Sequence, residues 1–477
     1  METTEDLREA SAAGGYAPTP REETRVLVRI AAPLAAGFLA EMAMNVTDTI
    51  IVGRLGNVEL AGVGLAASVL FNVLFVCMGV VSIVGVLAAQ AHGAGNPAAI
   101  GHAVRQGFWV ATLLSLPAML LGWYLPPILR WLDQDPAVIA VARTYLHGLV
   151  WCFLPYMWFT VLRNFVSALA RAGSVMIITI AAIGLNLVLV YVFVFGIAGW
   201  EGWGVAGAGI GTSLVCWAMF VALAIHAVRA EAFRGYRVFR GLLRFDGRLA
   251  AEIFRLGLPV AGMSGVESGL FLAVQLLIGT LGAAALAANQ IAFSICAISF
   301  MIPAAIGQAA TMRVAYGMGA GSVPAARQAG FIAVGFSAGY MALMAVLLWL
   351  FSREIAGLYL DRADPANAGS LALAAVLVGI AAVFQIVDGV QVTAVGALRG
   401  IKDTNVPFAI GLVGYWGIGL GSGYIFAFLL GHGAVGLWWG LALGLAASAS
   451  LLTWRFHRRT RALLRAAAEQ PAPLPAT

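Results

Sequence analysis

The chain has 477 residues, 61% of them hydrophobic and only 10% charged, with a mean hydropathy of +0.91 and a net charge of +6. Soluble domains carry roughly 25% charged residues, and a water-exposed globule of this length could not hide so much apolar surface. Soluble, disordered, collagenous and disulfide-stapled proteins are thereby excluded; the composition is that of a polytopic membrane protein.

Residues 1–25 are polar and of mixed charge, without the apolar core of a signal peptide, so they read as a cytoplasmic N-terminal tail. A spanning helix needs ~20 apolar residues. Twelve such runs follow, at 26–52, 58–89, 103–125, 138–162, 175–197, 204–228, 250–278, 284–312, 328–351, 371–398, 405–430 and 434–456. The ~10-residue alternation of a membrane β-barrel is not seen. Counted by loop, 23 Lys and Arg fall on the side of both termini and five on the other (Arg54, Arg130, Arg143, Arg353 and Arg362), which predicts cytoplasmic termini. Asp361 and Asp364 read as a solvated turn.

Segment 229–249 separates the sixth and seventh runs. Arg234, Arg237, Arg240, Arg244 and Arg248 alternate there with Phe233, Tyr236, Phe239 and Phe245, which predicts a basic amphipathic helix at the headgroups. The tail 457–477 is basic as well. Membrane anchoring explains these arginines, and no nucleic-acid partner is expected.

The halves superimpose. A shift of 226 residues places Pro33 on Pro259, Glu41 on Glu267, Leu55-Gly56 on Leu281-Gly282, and Gly93-Ala94-Gly95 on Gly319-Ala320-Gly321. A shift of 229 places Gly202, Gly204, Gly207 and Gly211 on Gly431, Gly433, Gly436 and Gly440. Two tandem six-helix copies share one orientation in the bilayer, the parallel-repeat architecture of transporters. The expected fold is therefore all-α and integral to the membrane, with twelve transmembrane helices in two pseudo-symmetric lobes, 26–228 and 250–456.

Gly202-Trp-Gly204-Val-Ala-Gly207 and Gly431-His-Gly433-Ala-Val-Gly436 match G-x-G-x-x-G. Both open hydrophobic helices rather than following a strand, so close helix packing accounts for them and no nucleotide is expected. Lys402 is the only lysine and lies outside any P-loop. Cys77, Cys152, Cys216 and Cys296 lie in apolar runs as small hydrophobes. His92, His102 and His457 carry no assignment.

Charges inside the membrane are costly and mark function. Four acids fall within apolar runs: Glu41 and Asp48, two turns apart on one face of the first helix, Glu267, the repeat mate of Glu41, and Asp388 beside Gln385 and Gln391. No base is expected at their depth. Either they are neutral, hydrogen-bonded carboxyls, or they bind protons or cations in a cavity. Asn186, in the fifth run, is a candidate for the same site or for an interhelical hydrogen bond.

Three segments resemble one family: Asn45-Val-Thr-Asp-Thr-Ile-Ile-Val-Gly-Arg-Leu-Gly56 around Asp48, Gly257–Leu270 around Glu267, and Phe384–Thr404 around Asp388. Over essentially its whole length the chain is similar to the multidrug and toxic compound extrusion (MATE) transporters, and among them to the NorM-like bacterial branch. The resemblance implies export of small lipophilic, often cationic drugs or dyes in exchange for Na⁺ or H⁺, with no other cofactor. It further implies a cation site at Glu267 and Asp388, with Asp48 and Asn186 in the first lobe. Two positions depart from the pattern. Val190 stands where a second Asn is common, and Glu41 where relatives carry an amide, so Glu41 is a candidate coupling acid.

The expected protein is thus a monomeric antiporter of a bacterial inner membrane and not an enzyme. Na⁺, where used, binds at Glu267 and Asp388, and the drug lies in a cavity lined partly by Asp48 and aromatic side chains. A lipid-linked glycan flippase of the same superfamily is the alternative, although it calls for basic residues deep in the helices; an integral-membrane enzyme is a more distant one.

Overall fold

A computed structural model describes residues 16–131, 133–197, 199–359 and 367–469. Asp361, Arg362 and Asp364 lie outside the described residues. Among the described residues, twelve helices are long and apolar enough to cross a membrane: α1 Pro20–Gly53, α2 Asn57–Gly93, α3 Pro97–Trp123, α4 Pro136–Ala168, α5 Gly173–Phe195, α6 Val205–Arg229, α7 Gly247–Gly279, α8 Ala283–Gly319, α9 Val323–Leu350, α10 Ala368–Gly400, α11 Asn405–Leu429 and α12 Gly433–Ala468. All twelve predicted runs are helices, but several helices outrun their apolar stretch. α4 continues through a 3₁₀ turn at Val150–Cys152 as far as Ala168, and α12 continues through most of the basic tail.

The repeat is written in the backbone. Gly95 and Gly321, 226 apart, both adopt positive φ (66° and 71°), and the next residues, Asn96 and Ser322, cap α3 and α9 by accepting from Ala99 N and Ala325 N. Gly202 and Gly431 match at 72° and 74°, and Gly204 and Gly433 both at 55°. Such left-handed turns favour glycine because a Cβ would be strained there. The G-x-G-x-x-G stretches are helix-packing turns, as expected: a Cβ on Gly207 would strike the Phe193 carbonyl, and one on Gly436 would strike the backbone of Phe426 and Ala427.

The chain forms two compact units. The first comprises Ala32–His92 and Asn96–Gly265; the second comprises the residues up to Ala31, Gly93–Gly95, and everything from Val266 onward. Each unit therefore takes one helical segment from beyond the 229–249 segment. The second has the start of α1, and the first has the start of α7. Both helices contain a proline near the change of membership, Pro33 and Pro259.

In the second unit, the start of α1 is fixed by a buried bidentate ion pair. Arg313 Nε and Nη2 donate to the two Glu23 oxygens at 2.7 Å each, and Nη2 also donates to the Tyr16 hydroxyl. The Tyr316 ring stacks on the guanidinium at 5.0 Å.

The predicted amphipathic helix over 229–249 is not formed. A single turn, Glu231–Arg234, is followed by successive turns. The reason lies in the first unit itself. Phe233 and Tyr236 bury against Phe165 with ring centroids at 5.6 Å each. The carbonyls that a helix would use internally accept instead from α3: Arg237 O from Arg105, Leu242 O from Trp109 at 2.8 Å, and Arg244 O from Gln106 at 2.8 Å. At the end of the segment Asp246 accepts from His102 at 2.9 Å and caps α7 through the Arg248 and Leu249 amides.

Candidate functional site

In the first unit, α1 carries Glu41 and Asp48 on one face, and the structure gives each a different environment. Asp48 Oδ2 accepts from Thr212 Oγ1 on α6 at 2.9 Å, while Oδ1 is buried without a partner. Asn186 on α5 is buried, and its side-chain amide lies beside this carboxyl. Val190, one turn further along α5, is fully buried and packs on Gly211 of α6. The second amide that the family pattern favours is thus replaced by a packing residue.

Glu41 overturns one expectation: a base does sit at its depth. Arg163 Nη1 donates to Glu41 Oε1 at 2.8 Å, and the Tyr156 hydroxyl donates to Oε2 at 3.0 Å. The Arg163 side chain is 3% exposed and lies over the rings of Phe38 and Phe159 at 5.4 and 5.8 Å. The predicted fourth run ends at residue 162, which leaves Arg163 at the surface, whereas α4 runs on to Ala168. The largely apolar flanks Phe153–Leu162 and Phe165–Ala168 on either side of Arg163-Asn164 were the available signal. The flippase alternative gains nothing, because the charge is already matched by Glu41.

The second unit contains Glu267 on α7 and Asp388 on α10, close enough for their charges to interact. Four charged side chains are buried among the described residues: Glu23, Arg163, Arg313 and Asp388. The first three are ion-paired. Asp388 faces a second acid instead, and its Oδ1 has no partner. Gln385, one turn earlier, is turned away from it, accepting from Ser299 at 2.5 Å. Gln391 is buried as well.

Tyr415 on α11, which sequence reasoning passed over, is wholly buried, and its charged neighbours are Glu267 and Asp388. It lies in a π-helical stretch, Val413–Leu420, a winding that frequently marks functional positions. Nearby on α11, small residues pack closely against α12. A Cβ on Gly414 would strike Ser448, and one on Gly444 would come within 2.6 Å of Gly414 O. Glu267 and Asp388 supply carboxyl oxygens that can take a proton or a monovalent cation; nothing in the sequence around a lone tyrosine in a glycine-rich run announces the burial of Tyr415.

A family model described as MatE matches residues 33–192 and again 259–425. Its two starts are separated by 226 residues (259 − 33), the offset of the internal repeat. The chain is 42% identical over 442 residues to the probable multidrug resistance protein NorM of Pseudomonas aeruginosa, covering 93% of this chain and 91% of the relative. It is 43% identical to the multidrug resistance protein NorM of Burkholderia vietnamiensis, covering 92% and 94%. A crystal structure of a MATE protein in the bent conformation superimposes with a TM-score of 0.86 at 19% identity, covering 98% and 100%. A eukaryotic MATE transporter superimposes with 0.82 at 22%, covering 94% and 99%.

Proposed function

The chain belongs to the MATE family, and from that premise we propose that it is a cation-coupled antiporter exporting lipophilic, mostly cationic drugs or dyes from a bacterial cell in exchange for Na⁺ or H⁺. Members of the family are transporters rather than enzymes, and this chain is a multi-pass bacterial membrane protein. The cytoplasmic membrane, with both termini inside, is the placement that the arginine distribution supports.

The observation that carries the coupling reading is Asp388, a buried acid whose neighbour is another acid. Burying two like charges together is unfavourable unless a proton or cation joins them. The pair therefore changes its electrostatic balance whenever a cation enters or leaves. Asp48, a buried carboxyl held by Thr212 beside Asn186, takes the cationic end of the drug or a second coupling ion. Glu41 takes neither, because Arg163 and Tyr156 occupy both of its oxygens. Exchange follows from linkage: the cation must favour the conformer that releases drug outward by binding the two conformers unequally. The protein works as a monomer in this scheme.

The test is reconstitution in liposomes, following ethidium movement under an imposed Na⁺ gradient and then under a pH gradient. One or both gradients should drive transport, and Asp388→Asn should abolish it while leaving folded protein in the membrane. Transport by Asp388→Asn at the wild-type rate would overturn the assignment.

A further inference from the structure

We propose that the junction between α6 and the 229–249 segment binds an anionic phospholipid, with an acyl chain in a groove beside α6 and the phosphate at Arg229. The groove has a volume of about 340 Å³ and is lined by Ala224, Ile225, Val228, Arg229 and Phe239. Four of the five are apolar, and Arg229 is the last residue of the helix. An apolar trough carrying one guanidinium fits an amphipathic anion, because the chain lies along the first and a phosphate pairs with the second. A soluble phosphate would gain nothing from the trough, and a neutral lipid nothing from the charge.

The groove continues a surface that belongs in lipid. Leu214, Trp217, Val221, Ile225 and Val228 recur at spacings of three and four along α6, so they form one stripe, and all five are exposed. Ile225 and Val228 end that stripe and line the groove. Phe239 lines it from the 229–249 segment and is held there by Phe108 of α3, with ring centroids 5.6 Å apart. The segment beyond is independently fitted to a charged membrane surface. Arg234, Arg237, Arg240, Arg244 and Arg248 are all exposed, and across 229–249 six arginines outnumber two acids. One of those acids, Asp246, is already engaged by His102 and the α7 amides. Leu242 O is pinned by Trp109, yet Leu243 beside it is 88% exposed. Phe245 packs on the Trp109 ring at 5.7 Å and is still 53% exposed. Apolar side chains held out on a fixed backbone are unfavourable in water, but at a bilayer they enter the acyl boundary while the arginines meet headgroups. The excess of arginine selects anionic headgroups over zwitterionic ones.

The experiment uses the full-length protein purified in detergent. It is titrated with dioleoylphosphatidylglycerol, or with dioleoylphosphatidylcholine as the neutral control, and bound lipid is counted by native mass spectrometry. A phosphatidylglycerol with a photoactivatable acyl chain is then crosslinked, and the labelled peptides are sequenced. The wild type should hold phosphatidylglycerol about tenfold more tightly than phosphatidylcholine, and the label should fall between Trp217 and Phe245. Arg229→Gln with Arg240→Gln should weaken phosphatidylglycerol about thirtyfold, which corresponds to about 2 kcal/mol, and leave phosphatidylcholine unchanged. Both arginines are exposed, so the double variant should keep the wild-type unfolding temperature. Ala224→Phe should fill the groove and remove the crosslink while the arginines remain.

Equal affinity of the wild type for the two lipids would overturn the proposal and leave only ordinary solvation by the bilayer. Competition by inorganic phosphate at the concentrations where the lipid binds would replace it with a soluble-anion site. Wild-type affinity in the double arginine variant would place the headgroup elsewhere and sink the site as described. The crosslink on the wild type decides the position of the chain whether or not Ala224→Phe folds, and a label confined to other helices would count against the groove.

Discussion

Glu41 and Asp388 are acids in apolar runs that look alike in sequence, and the fold gives them opposite fates. Glu41 receives a guanidinium and a phenol and becomes a structural anion. Asp388 receives neither. Removing one partner of a buried pair costs roughly 3–5 kcal/mol, because the remaining charge is stranded. Glu41→Gln should therefore lower the unfolding temperature in detergent markedly by leaving Arg163 uncompensated, and Glu41→Gln with Arg163→Met should recover part of the loss. If the double variant is less stable than the sum of the singles, the pair is not the unit described. The position of all four acids was legible, because a carboxylate in a hydrophobic run stands out; their partners were not. Arg163 lay hidden behind a misplaced helix end, and Tyr415 is one aromatic among many in a chain with 11 Tyr and 25 Phe.

At the scale of elements, helix existence was the easiest feature to read, because ~20 apolar residues in a row have few other uses. Helix ends were harder, since α4, α8 and α12 continue past their apolar stretch on polar residues that find partners inside their own unit. Arg313 bonds Glu23, and Arg327 donates to the carbonyl of His457 and the hydroxyl of Thr460. The 229–249 segment was misread because an i, i+3 arginine stripe describes a helix equally well whether or not side chains elsewhere claim its carbonyls.

Two predictions belong at this scale. Gly444→Val should separate α11 from α12 and lower the yield of folded protein sharply, since its Cβ would meet Gly419 Cα and Gly414 O; normal yield and unfolding temperature would refute the packing. The cap of α7 should respond to pH. The His102 hydrogen bond, with the Leu249 and Arg248 amides, holds the Asp246 carboxyl below the usual range. A carboxyl lowered on folding contributes stability above its unfolded value of about 3.9, and that contribution is lost as pH falls through the lower folded value. Amide exchange at 246–249, relative to the intrinsic rate, should thus rise in strong acid as the carboxyl is protonated, whereas Asp246→Asn should exchange faster at neutral pH.

For the whole molecule, the repeat told most. It set the shared orientation of the halves and the pairing of Glu41 with Glu267, and the matched glycine dihedrals carry it into the backbone. What it could not tell is where one compact unit stops, because an offset compares residues without saying which of them touch. The observed membership makes the molecule indivisible at its apparent midpoint. Expressed alone, residues 1–240 and 241–477 should each fail to fold, and together they should restore a membrane-inserted protein, scored by co-purification; a stable single half would contradict the exchange of α1 and α7 segments.

That membership also sets an order in time. Glu23 leaves the ribosome early, and the arginine that neutralises it is 290 residues behind. At ~5–20 residues per second the wait is ~15–60 s. The start of α1 must spend that interval in headgroups, in water or under the care of the insertion machinery, so one of the first parts made is locked in place only once the eighth helix has emerged.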